Sequence, residues 1–308
     1  MLKSFFNRIL KKILKKYLDN KVLSLAHTHF LTGRSYYKNI KKIVDVEYKA
    51  FSQNGEDGII DYLLYSLEIE KPNFVEIGVG DYSECNTRLL FDRTACKGLI
   101  VDCINDFEKK VMKNVKTWKG DLTIVESIVS SKNILDILNQ KGFDKNVDLF
   151  SLDIDGVDYW LLKKLPNNFS KIVVLEYNSV FGPKLEVTVP NLDNFNRSDY
   201  HYSHLCFGAS LKAFINLMLK KNFIFVGTNL SSCNAFFVSK DYINKVNLDL
   251  PNNEDISKYT NSFIRESRAK NGVLNYLSGN ERINEIKNCE IINLKEDQTK
   301  RIKLKDLL

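Results

Sequence analysis

From Phe51 to Val238 short apolar, β-rich runs alternate with helix-like stretches, and that alternation restricts the chain to few architectures. The pattern predicts strands over Phe74–Ile77, Gly98–Asp102, Thr123–Val129, Asp148–Asp153, Lys171–Tyr177, Phe223–Gly227 and Ala235–Val238. Helices are predicted over Gly58–Leu67, Cys85–Asp92, Asn133–Gln140, Asp158–Leu165 and Ser210–Lys220. Strands joined through helices run parallel, with helices on both faces of the sheet. Only the segment 229–234 separates the last two strands, too short for a crossover helix, so these two pair antiparallel at one end of the sheet. The expected fold is therefore α/β: a doubly wound, mostly parallel seven-stranded sheet with an antiparallel last strand. At 308 residues and 44% hydrophobic, the chain has material for one large core, and no internal repeat is visible.

Ligands of such sheets sit beyond the carboxyl ends of the strands, and here four of the first five strands end in acids. The first carries Glu76 into Gly78-Val79-Gly80-Asp81, and the second ends at Asp102. The fourth ends at Asp153-Ile154-Asp155-Gly156, and the fifth at Glu176-Tyr177-Asn178. The Gly78-x-Gly80 turn allows close approach of backbone to ligand, and Asp102 is placed to accept hydrogen bonds from ribose hydroxyls. Taken alone, that suits NAD. The third glycine of G-x-G-x-x-G is missing, with Ser83 in its place, and no cluster of cations follows to hold a pyrophosphate. An acid two residues before the first glycine suits a cationic amino group, and S-adenosylmethionine (SAM) has that group, a ribose diol and no phosphate.

Ser52-Gln53-Asn54-Gly55-Glu56-Asp57, Val75-Glu76-Ile77-Gly78-Val79-Gly80, Asn86-Thr87, Ser151-Leu152-Asp153-Ile154-Asp155-Gly156 and Val174-Leu175-Glu176-Tyr177-Asn178 together resemble the FkbM-type class I methyltransferases, particularly bacterial members found with surface-polysaccharide genes. The similarity continues through Phe207-Gly208-Ala209-Ser210-Leu211 and Asn234-Ala235-Phe236-Phe237-Val238, so it covers about residues 51–240. Asp-x-Asp-Gly here departs from the more usual Asp-x-Glu-Gly. The resemblance implies a SAM-dependent O-methyltransferase acting on a sugar hydroxyl of a nucleotide-linked or lipid-linked surface glycan. The cofactor set is then Glu76, Gly78, Gly80, Asp102 and Asp153, with Gln53 and Glu56 brought in by the resemblance.

On the acceptor side, Asp153, Asp155, Glu176 and Asn178 leave neighbouring strands, and their oxygens suit a hard cation such as Mg²⁺. Asp158 is placed to cap the next helix. Asp155 and His204 are the candidate catalytic residues, His204 as a general base following the polar loop 190–198. Tyr200 and Tyr202 either stack on a sugar ring or pack. Two other classes compete: a non-catalytic SAM-fold scaffold in a glycan-assembly complex, and a nucleotide-sugar or NAD enzyme. Acids kept at the strand ends speak against the scaffold, because burying unpaired carboxylates is costly.

Residues 1–50 hold 12 Lys or Arg against 3 Asp or Glu, leaving 33 against 35 for the rest, so the net charge of +7 is an N-terminal property and does not describe a nucleic-acid-binding core. Leu2, Phe5, Phe6, Ile9, Leu10, Ile13, Leu14, Tyr17 and Leu18 recur at helical spacing, with Lys3, Arg8, Lys11, Lys12, Lys15 and Lys16 between them. This predicts a basic amphipathic helix over 1–18 that lies on an anionic membrane surface or docks on a partner. Residues 19–50 are expected to be a helical connection, 51–240 the SAM-binding domain, and 241–308 a tail packing on it. No apolar run spans a bilayer and no signal peptide is visible, so a cytoplasmic location is expected, peripheral on the inner face of the membrane. Six scattered cysteines without a C-x-x-C pair are expected to be free thiols.

Overall fold

The computed structural model describes residues 2–252, 255–295 and 300–308, with side chains from residue 6 onward save those of 8, 9 and 12. A seven-stranded sheet is built from β1 (Asn73–Ile77), β2 (Lys97–Asp102), β3 (Asp121–Glu126), β4 (Val147–Leu152), β5 (Ser170–Glu176), β7 (Phe223–Thr228) and β8 (Asn234–Ser239). Its order is β3-β2-β1-β4-β5-β8-β7. The first five strands are parallel, and β8 is antiparallel to both β5 and β7. The reversed strand thus lies one position inside the edge, as a short turn after β7 requires.

Alternation along the strands sends side chains to two cores. Val75, Ile77, Leu99, Val101, Phe150, Leu152, Val173 and Leu175 face α5 (Ile134–Lys141), α6 (Asp158–Lys164) and α8 (Leu211–Lys220). Phe74, Ile100, Leu149, Ile172 and Val174 face α2 (Glu56–Ser66), α3 (Arg88–Thr94) and α4 (Phe107–Asn114). α4 escapes the apolar pattern because only Phe107 and Val111, one turn apart, are buried in an otherwise charged segment.

Two regions carry structure that the sequence pattern left undescribed. The first helix, α1 (Leu2–Gly33), does not stop at residue 18: no glycine or proline interrupts it before Gly33. Val22, Leu23, Ala26 and Phe30, spaced for one helix face, pack on Tyr48, Ala50, Phe51 and Leu89. Of the expected amphipathic positions, the side chains of Leu2, Phe5, Ile9, Lys3, Arg8 and Lys12 lie outside the described residues. At the other end, residues 241–308 contribute α9 (Asn280–Glu285), β9 (Glu290–Asn293) and β10 (Arg301–Lys303). β9 pairs with β6 (Val187–Thr188), about a hundred residues earlier, in a second sheet of order β10-β9-β6. Strands of two to four residues carry too little periodicity to be seen in a sequence.

Candidate functional site

β1 and β4 are neighbours where the strand order reverses, and a cavity of about 510 Å³ opens beyond their carboxyl ends. That size falls within the roughly 300–1,000 Å³ of small-molecule sites. Its wall includes Gln53, Glu56, Glu76, Gly78, Gly80, Asp102, Asp153 and Asp155, so the fold assembles every expected cofactor residue around one space. Eight carboxylate residues line it: Glu56, Glu76, Asp81, Glu84, Asp102, Asp153, Asp155 and Asp193. Among the described residues the lining contains no lysine, arginine or histidine.

Several of these acids are held by backbone. Glu76, fully buried, accepts from Asn86 N (2.8 Å) and from Thr87 N (2.9 Å) and its hydroxyl, fixing the loop that leads to α3. Asp102 Oδ2 accepts from Val79 N and Gly80 N (2.9 and 2.8 Å) and its Oδ1 from Ile104 N, so the carboxylate expected at the ribose also ties down the glycine turn. Glu56 is bound by Asn229 and Asn234 side chains (both 2.7 Å) and by Asn54 N. Asp158 accepts from Ile154 N and Gly156 N (both 3.0 Å), shaping the loop after β4 from the first turn of α6. These buried carboxylates persist because backbone N–H groups, and at Glu56 also two asparagine amides, satisfy them.

Glycine has two different reasons at 78 and 80. Gly78 has φ +84°, and a Cβ there would stand 1.6 Å from the Asp153 carbonyl oxygen, so the collision is with the chain itself. Gly80 has φ +55° and open space around its Cβ position. At Gly78 the close approach is therefore to the chain itself, and the fold is at stake there.

Asp153, Asp155 and Glu176 bring carboxylate oxygens within 4.8 Å of one another. Asp153 and Glu176 are the two of these whose surroundings most favour the protonated form. Burial, then the neighbouring carboxylate charges, raises the Asp153 carboxyl to about 8 and Glu176 well above its ordinary value. Asp155, in a left-handed conformation (φ +54°) and half-exposed, instead pairs through Oδ1 with Arg197 Nη1. Arg197 opens the one-turn helix α7 (Arg197–Tyr200), stacks 3.9 Å over the Phe207 ring and donates Nε to the His204 carbonyl (2.6 Å). It was not singled out in the sequence, since nothing local signals a partner 42 residues away.

Two expected residues are elsewhere. Asn178, only 2% exposed, donates its amide to the Leu205 and Phe207 carbonyls and accepts Val180 N at Oδ1, and it does not line the cavity. His204 does not line the cavity: it sits at φ +60° in the loop after α7 and holds Arg197 through its backbone. Tyr200 and Tyr202 turn their hydroxyls to the Glu290 carbonyl and Glu285, and the aromatic ring on the cavity wall is Phe195.

Burial also raises Glu76 to about 7 and Asp158 to about 6. With Asp153, these groups bind protons in the folded state that an unfolded chain gives up near pH 4, so their contribution to stability is fully present below that pH and is lost as pH rises through about 6–8. The thermal midpoint in metal-free buffer is expected to fall steadily between pH 5 and about 8.5. A midpoint rising through that range would contradict protonated carboxyls in this wall.

No family model matches the chain, and no curated protein matches it. Among solved structures it is similar to the small RNA methyltransferase HEN1 (17% identity over 59% of this chain and 24% of that one, TM-score 0.37). It is also similar to human N-acetylserotonin methyltransferase in complex with SAM (13% identity, 57% and 49%, TM-score 0.32). A third is CrArsM, an arsenic(III) SAM methyltransferase from Chlamydomonas reinhardtii (10% identity, 66% and 70%, TM-score 0.32). The chain spans about a quarter and about half of the length of the first two. Identities and scores this low say nothing of ligand or acceptor, and both must be argued from the cavity.

Proposed function

We propose that the protein is a SAM-dependent O-methyltransferase. The observation that carries this reading is the cavity wall at the switch point of the sheet, lined by acids and no cation. Glu84, Asp155 and Asp193 are paired with Lys49, Arg197 and Lys132, burial favours the protonated Glu76 and Asp153, and Glu56, Asp81 and Asp102 have no ion-pair partner among the described residues. Such a wall favours a ligand bearing sulfonium and ammonium charges and repels a pyrophosphate, which speaks against NAD or a nucleotide sugar in this space. Asp102 retains lone-pair capacity beyond its three backbone donors for a ribose hydroxyl, and Val101, Cys103, Ile128 and Val129 offer apolar surface for a purine. The non-catalytic scaffold is disfavoured by a cavity of this size whose wall ends in the Asp155–Arg197 pair.

In the proposed reaction the acceptor oxygen attacks the methyl carbon in line, the S–CH₃ bond breaks, and sulfur leaves as a neutral thioether. The hydroxyl proton passes to a carboxylate. Asp155 is the base that the geometry favours: it lines the cavity, and Arg197 engages its Oδ1, leaving Oδ2 as an acceptor. The sugar hydroxyl of a surface glycan as acceptor follows from the motif resemblance, and Phe195 on the wall suits stacking on a sugar ring. Asp155→Asn is expected to lower transfer of label from methyl-labelled SAM to a membrane-glycan extract by about 10²-fold or more, with SAM affinity changed less than threefold. Undiminished transfer would remove Asp155 from the mechanism.

A second reading adds a divalent cation on Asp153, Asp155 and Glu176, favoured by their convergence. Asn178 is withdrawn from the set. When bound, the ion would supply charge to orient vicinal hydroxyls and acidify one of them. Full activity after exhaustive chelation would exclude it.

A further inference from the structure

Phe6, Leu10, Ile13, Leu14, Tyr17, Leu18, Leu25 and Leu31 are all more than half exposed along α1, from 52% for Leu10 and Leu18 to 72% for Leu31. At about 100° per residue Phe6, Leu10, Ile13, Leu14, Tyr17 and Leu31 share the side of the helix opposite Val22, Ala26 and Phe30, which face the body, and Leu18 and Leu25 lie on its flank. The result is an outward apolar stripe over residues 6–18, about 18 Å long at 1.5 Å per residue, with Leu25 and Leu31 beyond it among the exposed Lys21, Ser24 and Thr28. Lys11 and Lys16 stand exposed along it, and the one acid of α1, Asp19, is spent on Arg88 at 2.6 Å. A cationic margin around an apolar stripe complements an anionic lipid surface, where lysines meet headgroups and the apolar side chains enter the acyl boundary. Among the described residues no helix is long and apolar enough to cross a membrane, so this helix would lie on a bilayer.

The stripe has a fixed place relative to the cavity. Lys15 Nζ donates to Asn114 Oδ1 (2.6 Å), and Asn114 Nδ2 donates to the carbonyl of Asp81 (2.7 Å). Arg88, 2% exposed, joins Asp19 to the Ser83 carbonyl (2.6 Å). Asp81 and Ser83 both line the cavity. We infer that α1 is a membrane-docking helix clipped to the rim of the cavity, and that the acceptor is an amphiphile presented at an anionic bilayer surface. The docking stands on α1 alone, and the acceptor class rests on the methyl-transfer reading.

The test is flotation of the full chain with phosphatidylcholine vesicles containing 30% phosphatidylglycerol, or none, beside a Leu10→Glu/Leu14→Glu/Leu25→Glu variant. The full chain is expected to float with the anionic vesicles, and its bound fraction to fall at least fivefold without phosphatidylglycerol or in 0.5 M salt. The variant, folded by circular dichroism, should lose at least tenfold. Equal flotation of both chains, or of neither, overturns the proposal. A full chain that is dimeric in solution and does not float, with a monomeric variant, overturns it in favour of a second copy covering the stripe. Calorimetry with SAM separates the two layers: flotation without SAM binding leaves the docking and removes the acceptor class.

Discussion

Gly78→Ala is expected to leave the chain insoluble or to lower its thermal midpoint by more than about 10 °C, whereas Gly80→Ala folds. At Gly78 two costs add. A left-handed backbone costs an L-residue about 1–2 kcal/mol. A Cβ 1.6 Å from the Asp153 carbonyl also forces apart the ends of β1 and β4, held together by Asp153 N on the Ile77 carbonyl (3.0 Å), while Gly78 N is fixed on the Val101 carbonyl of β2 (2.9 Å). Together these reach about 4 kcal/mol or more. At Gly80 only the backbone cost applies, because nothing lies within 4 Å of its Cβ position. Differential scanning calorimetry of the two variants distinguishes the positions, and equal midpoints would contradict the close approach of the two loops.

Arg88→Met should be nearly as damaging. The guanidinium is 2% exposed, lies 3.8 Å over the Phe51 ring, and joins Asp19 of α1, Asp92 and the carbonyls of Ser83 and Asn114. Methionine fills much of the volume, but leaves a carboxylate and two carbonyls without their donor, at about 3–5 kcal/mol. Because Asp19 and Lys15 are the polar contacts between the first half of α1 and the cavity rim, hydrogen exchange in residues 6–30 should accelerate more than in β1 or β4. Uniform acceleration would mean that Arg88 serves the core without clipping the helix.

The strands were legible because their apolar runs alternate sharply with polar helical faces, and even the reversal of β8 followed from the length of 229–234. What depends on distant partners was not. The lower half of α1 reads as polar connection until Tyr48, Phe51 and Leu89 are seen beneath it, and β6 acquires a strand partner only from residues 292–293. The same division runs through the site. Carboxylates at strand ends are visible in sequence, but which of them serve backbone and which face ligand is decided by loops folding back. Thus Asp102 and Glu76 proved to be loop anchors as well as wall residues, Asn178 holds the 205 and 207 carbonyls, and Arg197 joins Asp155 to the His204 carbonyl, a contact no local signal announced.

Isothermal titration of the full chain with SAM and NAD⁺ side by side tests the central claim most directly, because it asks what charge the wall at Gly78, Asp102 and Asp153 accepts. The account predicts saturable SAM binding, weakened at least tenfold by Asp102→Asn, and no heat from NAD⁺. NAD⁺ binding without SAM binding, or silence from both, would contradict it.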